Sequence, residues 1–151
     1  MSDVNTAQHV LGDALVFGYA MVYGDAEVSG NARVYGDARV YGDAMVSGDA
    51  RVCGNARVFG YARVSGRAWV AGNGVVQSRS DIAWIDRVAD FRSITLHRTV
   101  DGWQINIRKF DGADAYVATT IAEVCAAVAA DHGGEVVAAA LAYLAAAVDR
   151  S

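Results

Sequence analysis

Residues 32–58 read ARVYGDARVYGDAMVSGDARVCGNARV, with valine returning at positions 34, 40, 46, 52 and 58. Outward from this stretch the same step of six runs back to Val10 and on to Val76 without an insertion. Glycine follows valine by two residues from Gly12 to Gly72. Alanine follows that glycine by two from Ala14 to Ala68, and Gly74 takes its place at the last step. The unit is Ala-x-Val-x-Gly-Asp/Asn. Ala and Val two apart point to the same side of a short strand, and the residues between and after them point outward. Glycine admits a backbone corner, where Asp or Asn is expected to bond the local backbone. A strand and corner that turn the same way each time give a triangular coil of eighteen residues. Each strand then pairs in parallel with the strand one coil later. With strands about 4.8 Å apart, nearly four coils make a prism on the order of 15–20 Å tall.

The chain has 151 residues, 16 glycines, no proline and a formal net charge of −4. That charge argues against a general nucleic-acid coat and against a basic membrane-surface protein. Cys53 and Cys125 make no disulfide framework and suit a reducing cytosol, so a cytoplasmic location is expected. Residues Met1 to Val10 carry neither a basic start nor an apolar run, so no signal peptide is expected. The apolar stretch Val136 to Val148 is short of the roughly 20 residues that cross a bilayer.

The period stops at Gln77-Ser78-Arg79-Ser80. Two units are therefore expected: a repeat over 8–77 and a small αβ capping or oligomerisation module over 78–151. In the second, residues 82–88 read as a strand or an amphipathic turn. Ser93 to Val100 and Trp103 to Phe110 read as a β-hairpin about Asp101-Gly102. Thr120 and Glu123 have the spacing of a capping box, and Ile121, Val124, Cys125 and Val128 follow on one helical face. His132-Gly133-Gly134 ends that helix. Val137, Leu141, Leu144 and Val148 mark a second helix, whose stripe is the expected oligomer contact. A parallel β-helix ends in open strand edges, so a cap on the last coil is expected, and the end near Val4 to Val10 reads as a stacking surface.

The repeat resembles the hexapeptide-repeat family, whose members are left-handed parallel β-helices. The small residue four after the aliphatic one is present, as in Val22 then Ala26 and Val34 then Ala38. The residue directly after valine departs from that family's enzymes, being Phe17, Tyr23, Tyr35, Tyr41, Cys53, Phe59 or a serine. In this respect the chain looks closer to phage and bacterial proteins with tandem Gly-Asn/Asp-Ala-x-Val-Tyr repeats, described as polymer-forming. Trp84, the Thr95–Gly102 hairpin, Phe110 and Gly112 resemble the short αβ module that follows tandem repeats in phage-encoded proteins, with Arg108-Lys109 in place of a small residue and cysteine. The resemblance implies a left-handed coil, about four coils, and a phage-related origin.

Eighteen residues per coil sorts the outward positions into three faces. Face one carries Leu15, Arg33, Arg51 and Trp69 beside Phe17, Tyr35, Cys53 and Ala71. Face two carries Met21, Arg39, Arg57 and Val75 beside Tyr23, Tyr41, Phe59 and Gln77. Face three carries His9, Glu27, Met45 and Arg63 beside Leu11, Ser29, Ser47 and Ser65. Two faces thus pair arginine with aromatic ladders. Three uses fit: cation–π stacking along the ladder, recognition of phosphates and bases, or an oligomer contact.

No catalytic set and no metal site emerge. The three histidines, His9, His97 and His132, fall in separate elements, with His97 expected at a surface or cross-strand position and His132 at a helix end. The expectation is therefore a non-catalytic, cofactor-free binding or assembly protein and homo-oligomer. Arg33, Arg39, Arg51 and Arg57 with Tyr23, Tyr35, Tyr41 and Phe59 would hold a host protein or a small anionic ligand, such as a nucleotide signal captured in counter-defence. The alternatives are a structural filament former, and an acyltransferase-like enzyme of the related fold.

Overall fold

The computed structural model describes residues 10–88, 91–110 and 112–149, so His9 and the expected stacking end before Val10 lie outside the described residues. Eleven two-residue strands build the repeat: β1 (Leu15–Val16), β2 (Met21–Val22), β3 (Glu27–Val28), β4 (Arg33–Val34), β5 (Arg39–Val40), β6 (Met45–Val46), β7 (Arg51–Val52), β8 (Arg57–Val58), β9 (Arg63–Val64), β10 (Trp69–Val70) and β11 (Val75–Val76). They stack into three parallel sheets in the orders β1-β4-β7-β10, β2-β5-β8-β11 and β3-β6-β9. Register is eighteen residues throughout, as in Leu15 with Arg33, Met21 with Arg39 and Glu27 with Met45. The strands make a parallel β-solenoid of about three turns. Val10 adds a single bridge to Val28.

The step of six puts valine and alanine inside. Val22 through Val76 and Ala20 through Ala68 form one buried column, each such valine contributing about 1.5–3 kcal/mol by leaving water. The corners depend on glycine. Gly48 has φ 63°, and a Cβ there would lie 2.9 Å from the Gly66 backbone nitrogen of the next coil. The neighbouring aspartates and asparagines tie coils together through the backbone: Asp25 N donates to Gly42 O at 2.9 Å and Asn31 N to Gly48 O at 2.8 Å. Their side chains are exposed, so the expected side-chain bond to the local corner gives way to solvent.

Beyond the repeat the expected hairpin is the centre of a larger sheet. β12 (Ile82–Val88), β13 (Phe91–Arg98), β14 (Trp103–Lys109) and β15 (Gly112–Ala118) pair antiparallel in that order. Helices α1 (Ile121–Asp131) and α2 (Glu135–Asp149) pack on one side of it. Thr120 caps α1 by accepting from Glu123 N, and His132 closes its end, as the sequence indicates.

Both sides of the central strands β13 and β14 are buried, by different chemistry. Ile94, Leu96, Ile105 and Ile107 face the helices and share a core with Val124, Val128 and Leu144. The alternate residues Ser93, Thr95, His97, Gln104, Asn106 and Arg108 are also buried, against the last coil. Within the solenoid Asp49, Arg51 and Cys53 donate their N–H groups to Gly66, Ala68 and Val70 of the next coil. One coil later no further strand exists, and side chains substitute for it. Arg67 N donates to Asp86 Oδ1 at 3.2 Å, Trp69 N to Thr95 Oγ1 at 3.0 Å, and Ala71 N to His97 Nε2 at 3.3 Å. Arg67 O accepts from Ser93 Oγ and Arg108 Nη1, and Trp69 O from Asn106 Nδ2 at 2.7 Å. Val100 N closes the row on Asn73 O. An unpaired buried backbone group costs about 1–3 kcal/mol, so this network is what lets the solenoid stop.

Of the two positions expected for His97, the structure shows the cross-strand one, fully buried between Ile82 and Gln104 rather than at the surface. Its Nε2 receives N–H groups from Ala71 and Asn106, which places the ring proton on Nδ1 toward Arg98 O at 3.0 Å. Burial holds its pKa down at about 4, from 6.5. The junction is fixed in the same way: Asp81 accepts from Gln77 N at 2.9 Å and from Arg98 Nε at 2.8 Å.

Two outcomes follow for stability. Gly48→Ala places a side chain at positive φ against backbone and is expected to cost roughly 1–3 kcal/mol in a urea melt. Between pH 6.5 and about 4 the unfolded chain binds a proton at His97 that the folded chain refuses, so stability falls as pH falls through that window. The loss approaches about 3 kcal/mol and levels off below the folded pKa. Urea midpoints followed across the window should show a shallower loss in His97→Gln than in the wild type; equal slopes would refute this role.

Candidate arginine–aromatic ladder surface

The three outward faces match the columns read from the sequence. On face two Tyr23, Tyr41 and Phe59 stack in a continuous column, with centroids 5.0 Å apart and planes within 4°. On face one Phe17 stacks on Tyr35 at 5.1 Å. Ring thus packs on ring, and among the described residues the cation–π pair lies in the module, where Arg98 sits 4.6 Å over Trp103. Tyr23, Tyr35, Tyr41 and Phe59 are half-buried by this stacking, whereas Arg33, Arg39 and Arg57 are exposed and Arg51 is half-buried.

The ladder register brings like charges together. Arg33 stands directly beside Arg51, and Arg39 directly beside Arg57. Paired parallel strands are about 4.8 Å apart, and like charges in direct register oppose pairing. Among the described residues no carboxylate forms an ion pair with any of the four. Each face therefore presents two forked donors side by side, flanked by a flat aromatic column.

Face one ends differently from the reading of the sequence. Cys53 and Ala71, at outward positions of the column, are both buried. Trp69 folds over Cys53, its Nε1 donating to Sγ at 3.1 Å. Burial, then the hydrogen bond with Cys53, raises the Tyr35 phenol above its ordinary pKa, against the lowering effect of Arg51 and Arg108. The signal that was missed is Trp69, the one large ring directly preceding a repeat valine.

The expected oligomer stripe belongs elsewhere. Val137, Leu141, Leu144 and Val148 are buried in the chain's own core, beneath the module's sheet, so they present nothing to a second chain. Their spacing correctly marks an amphipathic helix; its apolar partner is the sheet.

His97 and His132 lie on opposite sides of that sheet and do not converge. His132 packs edge-on to Phe91 at 5.0 Å and approaches Asp114 Oδ2 at 3.2 Å, which also pairs with Lys109 at 3.3 Å. Beside them Tyr116 donates to Asp131 Oδ2 at 3.0 Å. Burial and that carboxylate push its phenol up to about 12. Among the described residues no group of three or more His, Cys, Asp or Glu side chains is placed to hold a metal ion. No described helix is long and apolar enough to cross a membrane.

Three stretches of the chain, residues 26–40, 38–51 and 50–64, match the family described as YdcK Beta solenoid repeat. The matched residues lie within the coils that carry the arginine pairs. No curated protein and no solved structure matches the chain.

If Arg39 and Arg57 repel across the ladder, Arg39→Glu converts a like-charge pair into an opposite-charge pair. The expected outcome is a gain of about 0.2–1 kcal/mol in the unliganded protein, diminishing with added salt. A loss of stability in low-salt urea melts would contradict it.

Proposed function

We propose that the chain is a non-catalytic binding protein whose two arginine–aromatic ladders hold an anionic partner. The observation that carries this reading is the direct register of Arg39 with Arg57, and of Arg33 with Arg51, without carboxylate partners among the described residues. An anion shared between two guanidinium groups would relieve their repulsion and accept forked hydrogen bonds from both. The Tyr23–Tyr41–Phe59 column offers a flat surface for a base or another planar group. Face two is the better candidate, since face one is partly closed by Trp69 over Cys53.

In its specific form the reading is a phage-related cytoplasmic protein, with a left-handed repeat of about four coils over residues 8–77, that captures a host nucleotide signal or a host protein. A filament former is the rival. Side chains of the module occupy the last coil's backbone groups, which favours a closed assembly over head-to-tail growth.

Thermal-shift titrations with inorganic pyrophosphate, AMP, a cyclic dinucleotide and coenzyme A test the proposal. Stabilisation by one or more of the first three is expected, and Arg39→Glu with Arg57→Glu should abolish it. A shift that survives intact in the double variant would remove face two as the site. Coenzyme A binding that survives there would favour the acyltransferase reading instead.

A further inference from the structure

β15 is the outer strand of the module's sheet, and its position relative to the solenoid follows from burial. Gln104, Asn106 and Arg108 on β14 are buried against the last coil. Their register partners on β15 are Val117, Ala115 and Ala113, on the same side of the sheet. These three are exposed, Val117 by 67%. The solenoid therefore ends beneath β14, and β15 projects past it. At the opposite edge, on this same side of the sheet, Ile82 and Trp84 of β12 pack with the solenoid core. With β12 over the inside and β14 over β10, the overhang stands outside face one, above Trp69 and Arg51.

An overhanging edge strand of this kind is unprotected. Natural edges carry lysines, prolines or bulges that prevent pairing, and β15 reads Gly-Ala-Asp-Ala-Tyr-Val-Ala with none of these. Its one charged residue, Asp114, is already matched by Lys109 and His132 on the helix side.

We propose that β15 pairs antiparallel with β15 of a second copy, about a two-fold axis through Ala115. That register is self-complementary. Ala113 meets Val117 of the second copy, Asp114 meets Tyr116 of the second copy, and Ala115 meets its own equivalent, with no like charges opposed. The axis is perpendicular to the sheet, so both solenoids hang on the same side of a joined eight-stranded sheet. Their Arg33 and Arg51 ladders then face each other beneath the two overhangs. Pairing of the strands stands independently of what those ladders bind.

Ala115→Lys and Ala115→Glu test the pairing, because each puts two like charges directly across the axis at an exposed position. Sedimentation equilibrium at micromolar concentration should give twice the 15.9 kDa chain mass for the wild type and the single mass for each variant. Mixing the two variants should restore the doubled mass, which a merely misfolded variant would not do. A monomeric wild type, or variants that each remain dimeric alone, would overturn the proposal.

Discussion

A parallel solenoid has no natural last strand. Each coil offers backbone N–H and C=O groups to the next, and the final coil offers them to whatever lies above. Here the row at Arg67, Trp69 and Ala71 is met by Asp86, Ser93, Thr95, His97, Asn106 and Arg108. This constraint explains why the central strands of the module's sheet, β13 and β14, are buried on both sides, polar toward the coil and apolar toward α1 and α2. It also explains why His97 stays neutral. Its Nε2 must accept, and a proton there would set a donor against two donors. Arg67 Nε is the exception among the described residues, buried without a partner.

The ladders depend on the same stacking. Once coils are locked in eighteen-residue register, any side chain that recurs every eighteen residues becomes a column. Rings gain from this, since Tyr23, Tyr41 and Phe59 stack face to face. Arginines lose, since Arg39 and Arg57 are brought side by side with their charge unanswered. The anion proposed for this face would relieve that strain. The strain is small beside the buried valine column, so the fold tolerates it.

Most of the solenoid was legible because one period fixes everything: strand positions, inward valines, corner glycines and the membership of each face. The module was less so. Ser-Ile-Thr-Leu-His and Gln-Ile-Asn-Ile-Arg read as the two strands of a hairpin with a polar side, for which the pattern offers only the surface or a cross-strand neighbour. That side instead meets the backbone of the last coil, which leaves no mark in side-chain pattern. β15 was missed because its alanines carry little strand preference and no apolar alternation. The stripe of α2 was read correctly as apolar, but sequence alone does not say whether its cover is the chain's own sheet or another chain. Cys53 and Ala71 sit at outward positions and are buried nonetheless, by Trp69 and by the cap.

Side chains of β12, β13 and β14 replace a missing coil. Amide hydrogen exchange measured residue by residue tests this replacement most directly. The amides of Trp69 and Ala71 are expected to exchange as slowly as those of Arg51 and Cys53, which are paired to backbone one coil on. Exchange of Trp69 and Ala71 at the rate of exposed, unbonded amides, while Arg51 and Cys53 stay protected, would contradict it.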